Sequence, residues 1–211
     1  MDIMERLKSE TASLHQRAES HPGQKALLKG ELPRAEYAEQ LSQMLSIHRV
    51  LERRLRELGE TDQRIASVVT EEQYQEPYLL QDLKVLDIDA DQIDTMPNTT
   101  AMINTIRNAS ALGVLGMHYV LEGSNNGGKY IATAIAKAYG FVPGQPGLRY
   151  LDPYGADQRD NWTRFKDAMF ACKFSDADSD ELLAGARAMF NGLCGVFDDL
   201  GAARGLTASV G

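Results

Sequence analysis

The stretch Glu122-Gly123-Ser124-Asn125-Asn126-Gly127-Gly128-Lys129-Tyr130 decides between two kinds of fold. Read as a phosphate-binding loop, it would follow a buried parallel strand, open a helix, and make the chain α/β. That reading fails at Tyr130, where a Ser or Thr hydroxyl should hold magnesium. It fails again upstream, where residues 118–121 continue a helical pattern instead of ending a strand, and no apolar run ending in Asp supplies a second magnesium ligand. Two readings remain. One is a surface turn between helices, which Ser-Asn-Asn-Gly-Gly suits on composition alone. The other is a helix bent against a flat ligand. Glycine lets main chain approach where any Cβ would collide, and Gly/Ser pairs are a cause of kinks. Ser124, Asn125 and Asn126 would then hold water in the gap beside that ligand.

Outward from this stretch the pattern is helical throughout. Residues 3–20 carry Ile3, Leu7, Ala12 and Leu14 among charged residues, and Pro22-Gly23 is expected to end that helix. Pro33 suits a first turn, because its missing N–H would be unpaired there anyway. Behind it, Tyr37, Leu41, Met44, Leu45, His48, Leu51 and Leu55 recur at helical spacing up to Gly59. A shorter helix is expected over 76–86. Asn98-Thr99-Thr100 offers caps for another, with Met102, Ile106, Leu112 and Leu115 on one stripe. Gly113 and Gly116 cost that helix stability, so close packing or a bend is expected there. Ile131, Ala132, Ile135, Ala136 and Tyr139 resume a helix, and 143–153 is turn-rich. Two more amphipathic stretches, 160–174 and 178–201, close the fold, with Asp176, Asp178 and Ser179 as candidate caps and 202–211 as an expected flexible tail. No alternating strand, repeat or linker interrupts the series. The expectation is one all-α domain over 1–211, of seven to nine helices.

Composition narrows the function. With 211 residues, 43% of them hydrophobic and 25% charged, the chain has ample apolar surface for one core. No apolar run approaches a membrane span, and the charged N-terminus lacks the apolar core of a signal peptide. Cys172 and Cys194 match neither a disulfide framework nor a zinc pattern, and both are expected reduced, in the cytoplasm. A net charge of −8 argues against a general nucleic-acid binder.

Histidine is scarce: His15, His21, His48 and His118. No HExxH, CxxC or Glu-x-x-His pattern occurs, which weakens zinc-protease and di-iron readings. His48 lies on an apolar stripe and reads as core; His21, before Pro22, reads as a helix end. His15 differs, because Glu19 lies one turn along the same face. A carboxylate there can accept one imidazole N–H and turn the other nitrogen toward a metal, although a lone helical His is more often a surface side chain.

Taken together, two blocks resemble the heme oxygenase family. Leu7-Lys8-Ser9-Glu10-Thr11-Ala12-Ser13-Leu14-His15-Gln16-Arg17-Ala18-Glu19 resembles its proximal helix. Tyr119-Val120-Leu121-Glu122-Gly123-Ser124-Asn125-Asn126-Gly127-Gly128 resembles its distal helix, nearest the bacterial branch associated with phytochromes. Gln81-Asp82-Leu83 and the helix of Phe165-Lys166 fit more loosely. The resemblance implies heme between two helices, with His15 as iron ligand supported by Glu19. Gly123, Ser124, Asn125, Gly127 and Gly128 would form the distal, catalytic face, and Lys8 and Lys166, with Tyr119 or His118, would hold the propionates. Three departures follow. Ser124 replaces an aspartate that anchors a water network, so the network must differ. Phe170 replaces a propionate-steering arginine, leaving Arg164 or Lys173 to substitute and the site of ring opening open. His118 stands where an aromatic hydroxyl often sits.

The implied reaction uses heme as substrate and cofactor and gives biliverdin, CO and ferrous iron. It requires a distal face that is close, small and wet, without a strong acid over the iron. The chain carries no flavin or iron–sulfur signature, so electrons must come from a ferredoxin or an NADPH-linked reductase. A biliverdin-using phytochrome is a further partner the resemblance suggests. Two other readings stay open: a heme carrier or sensor without turnover, motivated by Ser124 and Phe170, and a helical relative acting on a small organic cofactor such as a thiamin or quinone precursor.

Overall fold

Ten α-helices and two short 3-10 turns build the fold over residues 2–203, the residues that the computed structural model describes, and there is no strand among them. The helices are α1 (Ile3–Glu10), α2 (Ala12–Ser20), α3 (Pro22–Lys29), α4 (Arg34–Gly59), α5 (Gln63–Val68), α6 (Glu76–Val85), α7 (Pro97–Asn108), α8 (Ala111–Tyr139), α9 (Gln158–Ala171) and α10 (Asp176–Ala203). Ala202 and Ala203 of the expected flexible tail belong to α10, and 204–211 lie outside the described residues.

Several boundaries differ from the sequence reading, each for a local reason. The expected helix over 3–20 breaks at Thr11, whose hydroxyl donates to the Leu7 carbonyl at 2.7 Å. Such back-bonding competes with the helical ladder and bends it. α2 does end just before Pro22-Gly23, at Ser20, but the pair also starts a further helix: Pro22 occupies the first turn of α3, and His21 Nδ1 accepts from the Gly23 N–H. The stripe through Met102 and Leu115 spans two helices, split where Ser110 caps α8 by accepting from the Gly113 N–H. Asn98 is not a cap. Its main-chain N–H and side-chain amide both donate to Asp199, each at 2.7 Å, and tie α7 to α10. The cap of α10 is Ser175, which exchanges reciprocal bonds with Asp178. Conversely, residues 123–128, with no break, are interior to the long helix α8.

α8 and α10 form the central pair. Their backbones approach so closely that a Cβ on Gly116 would lie 2.0 Å from the Leu182 carbonyl oxygen, and one on Gly185 1.9 Å from that of Gly113. The close packing expected of Gly113 and Gly116 is met at this crossing. Around the pair, α4 and α7 complete the core through Tyr37, Leu45, Leu51, Leu55 and Ile106, all essentially inaccessible to water. Burying each such leucine contributes roughly 1.5–3 kcal/mol. The turn-rich segment before α9 is pinned by Asp82 on α6, whose carboxylate accepts from the N–H groups of Gly147, Arg149 and Tyr150 at 2.6–3.0 Å. Tyr37 donates to the Gly147 carbonyl at 2.8 Å and closes the same corner.

Candidate functional site

α2 and α8 rest on the same two helices, α3 and α10, and make no extensive contact with each other. His15 projects from α2 with its side chain 57% exposed. Its Nδ1 lies 3.5 Å from Glu19 Oε2, and its ring meets Phe190 of α10 edge-on, with centroids 5.8 Å apart. Nε2 has no hydrogen-bond partner among the described residues. A helical carboxylate therefore faces one ring nitrogen while the other is free, which is the arrangement a metal-ligating imidazole needs.

The three glycines of residues 123–128 do different work. Gly127 is exposed, and a Cβ built on it would meet nothing within 4 Å. Gly123 faces the rim of the Trp162 indole, with Cη2 3.4 Å from its missing Cβ. Gly128 is buried, and its missing Cβ makes room for the Leu151 carbonyl oxygen at 2.0 Å, so packing alone accounts for that glycine. Ser124 is exposed and donates to the Leu121 carbonyl at 2.6 Å. Asn126 donates to the Gly123 carbonyl at 2.9 Å. Asn125, expected beside Ser124 as a holder of water, turns inward and donates to Glu122 Oε2 at 3.2 Å.

Of the cationic candidates, Lys8 is exposed at the end of α1 and Lys166 is half-buried on α9. They follow Leu7 and Phe165, both buried, on two helices that pack together. Neither lysine has an ion-pair partner among the described residues. Tyr119 is half-buried, its ring 6.0 Å from Trp162, and burial raises its hydroxyl above the usual tyrosine value. His118 is buried instead: Nε2 pairs with Gln73 Oε1 at 3.0 Å, and the ring lies edge-on to Phe165. Burial holds it down to about 4, so it is neutral at pH 7 and offers no charge to a carboxylate. Phe170 is 66% exposed one turn beyond Lys166. Arg164 points to Glu72 and Asn161, and Lys173 is exposed just past α9.

Sequence reasoning missed two buried polar clusters. In the first, Glu52 Oε1 accepts from His48 Nδ1 at 2.9 Å and from the N–H groups of Gln75 and Glu76. That bonding fixes the start of α6 and accounts for His48 as a core residue. In the second, Glu122 is buried beside the first distal glycine, accepts from Tyr154 Oη at 2.9 Å, and is pushed up to about 7 by burial. A lone glutamate before Gly123 gives no such signal, because Tyr154 reaches it from a distant turn.

A profile of the heme oxygenase family matches residues 1–199. The chain belongs to the heme oxygenase family. Solved structures agree in fold. The heme oxygenase from Leptospira interrogans superposes with a TM-score of 0.83 at 21% identity, covering 93% of this chain and 98% of that one. Heme oxygenase-2 from Synechocystis sp. PCC 6803, solved with heme and NO, gives 0.87 at 20% identity, covering 96% and 86%. A domain of unknown function with a heme oxygenase-like fold from Shewanella denitrificans gives 0.72 at 14% identity, covering 99% and 97%. No curated protein matches the sequence. No helix among the described residues is long and apolar enough to cross a membrane. Within this fold the block over residues 7–19 straddles α1 and α2, and the glycine block lies within α8.

Proposed function

We propose that this chain is a heme oxygenase, cleaving heme with O2 and external electrons to biliverdin, CO and ferrous iron. One observation carries the reading. His15, with Nε2 unengaged, and Gly127, with bare main chain open to space, belong to two helices that share supports without packing on each other. Heme supplies both the iron that activates O2 and the ring that is opened.

The chain's own residues do the rest. His15 binds iron through Nε2 as a neutral ring, and Glu19 accepts the Nδ1 proton, fixing the tautomer and strengthening the donor. Gly127 and the free edge of Gly123 admit the porphyrin face to contact with main chain. Lys8 and Lys166 neutralise the propionates as point charges, with Tyr119 beside them. The only histidine of α8, His118, is turned into the core, so no imidazole stands over the glycine face to act as a strong acid. Ser124 holds water there without charge. Electrons come from a ferredoxin or an NADPH-linked reductase docking transiently.

Titration with hemin should give a stoichiometric complex with a strong Soret band. Addition of ascorbate or a ferredoxin system under air should then give biliverdin, identified by chromatography, and CO. A complex that stays in the oxygenated state through a single turnover, with no pigment released, would instead support a carrier or sensor. Phe170 at the place of a propionate-steering cation favours that second reading. Absence of any stoichiometric hemin complex would refute both.

A further inference from the structure

Behind the glycine face, four residues from facing elements interlock. Glu122 and Asn126 lie one turn apart on α8, and Tyr154 and Gln158 lie four residues apart where the turn segment enters α9. Tyr154 Oη donates to Glu122 Oε2 at 2.9 Å, and Gln158 Nε2 donates to Asn126 Oδ1 at 3.3 Å. Asn126 in turn donates to the carbonyl of Gly123. Two acceptors in this group have no partner among the described residues: Glu122 Oε1 and Gln158 Oε1. Both side chains are more than nine-tenths buried, at 1% and 7% exposure.

Two buried acceptors without a partner leave this cluster short of a donor, and an unsatisfied buried polar atom is costly. A proton on Glu122 provides one, because a carboxylic acid carries an O–H that a carboxylate does not. When that proton leaves, the buried carboxylate needs a donor on Oε1 in its place, and Gln158, whose own Oε1 is unpaired, could supply one only by releasing Asn126. We propose that Glu122, Tyr154, Gln158 and Asn126 form a buried proton-holding site. Through it, Glu122 positions the Gly123 main chain of the distal face in two ways, according to whether it carries its proton. Glu122 is here a positioning residue. Its carboxyl stands one residue before the first distal glycine, whereas Ser124, one residue after it, has none.

The surroundings favour the protonated form. Burial opposes the charge, and only the hydrogen bonds from Tyr154 and Asn125 favour it. Tyr78 from α6 and Glu72 from the 3-10 turn before it face Tyr154, and neither is a cation. Toward α4 the titratable groups are His48, Glu52 and His118, which act on one another. The significance of the site for turnover rests on the proposed function, but its existence does not.

The protein contains a single tryptophan, and it lies against Gly123. Trp162 fluorescence of the ligand-free protein therefore reports the position of that turn. The expected result is a step in emission with a midpoint near pH 7, lost in Glu122→Gln and moved to higher pH in Tyr154→Phe, which removes a donor to the carboxylate. Infrared spectra should place a protonated carboxyl, titrating over the same range, in the wild type and not in Glu122→Gln. No step in the wild type, or a step that survives unchanged in Glu122→Gln, overturns the proposal. Should Glu122→Gln fail to fold, an unmoved midpoint in Tyr154→Phe does the same. These readouts need no heme, so their outcome is separate from that of the hemin titration.

Discussion

Replacing Gly127 and Gly128 in turn by alanine separates a functional glycine from a structural one. The two are neighbours in the same helix, so intrinsic propensity is equal for both. Alanine is favoured over glycine in a helix interior by about 0.5–1 kcal/mol. At Gly127 the new methyl meets nothing within 4 Å, so that gain is realised. The ligand-free Gly127→Ala protein should be more stable by up to about 1 kcal/mol, which raises Tm by roughly 2–4 °C for a chain of this size. At Gly128 the methyl would lie 2.0 Å from the Leu151 carbonyl oxygen. That oxygen is main chain, in a segment held to Asp82 by three N–H bonds, so it gives way only by moving the turn. Overpacking of this kind costs about 1–3 kcal/mol, beyond the propensity gain. Gly128→Ala should therefore lower the urea midpoint while Gly127→Ala raises it. Hemin binding should follow the opposite order. A methyl on Gly127 stands in the space proposed for the porphyrin and should weaken binding about tenfold or more, at about 1.4 kcal/mol per tenfold. The folded fraction of Gly128→Ala should bind nearly as the wild type. If Gly127→Ala bound hemin with unchanged affinity, the porphyrin would not lie on that face, and the reading of α8 would fall.

Three further outcomes are expected. His15→Ala should abolish the Soret signature of an imidazole-ligated iron and turnover in buffer. It should leave the stability of the ligand-free protein within about 0.5 kcal/mol, because the ring is exposed; a variant that turned over normally would remove His15 from its role. Asp82→Ala should cost about 3 kcal/mol by stranding one buried and two part-buried N–H groups, read as a lower urea midpoint with unchanged slope. The stability of the ligand-free wild type relative to Glu122→Gln should depend on pH. The Glu122 carboxyl is raised from an ordinary 4.5 to about 7, so the folded state holds the proton more tightly than the unfolded chain. Its contribution is complete below about pH 4.5 and is lost as pH rises through 7, a difference of roughly 3 kcal/mol at 1.4 kcal/mol per tenfold change in proton affinity. A flat difference between the two proteins from pH 5 to 8 would contradict this.

The all-helical class and the long helices were legible because apolar periodicity reports burial directly. Tyr37, Leu41, Leu45 and Leu51 are on one stripe in the sequence and in the core of the fold. The breaks were not legible, because they depend on side chains that bond locally instead of to a distant partner. Thr11 turns its hydroxyl on Leu7 at a break, and Ser110 captures the Gly113 N–H at another, yet Thr105 and Ser42 make the same kind of bond as Thr11 within unbroken helices. Pro22 was ambiguous in principle: proline marks the start of one helix as readily as the end of another, and only the αL cap at Gly30 completes α3.

The site was legible in a different measure. Its two poles, His15 with Glu19 and the glycine block, are local patterns, and a sequence displays local patterns. What lies between and behind them is assembled from distant residues. Gly123 and Gly128 look alike in the sequence, yet one faces Trp162 and the other Leu151, which come from 39 and 23 residues further along. The same holds for charge. The resemblance draws attention to the missing aspartate at Ser124, which suggests a distal face with no carboxyl nearby. A carboxyl is present nonetheless: Glu122 is buried next to Gly123, and burial raises it to about 7. The polar side chains of the glycine block that lie nearest its surface, Ser124 and Asn126, carry no charge and donate to the carbonyls of Leu121 and Gly123. If the glycine block is the distal face, as proposed, it meets the demand that no strong acid stand above the ligand, and the proposed site at Glu122 would tie the environment of that face to a carboxyl raised to about 7.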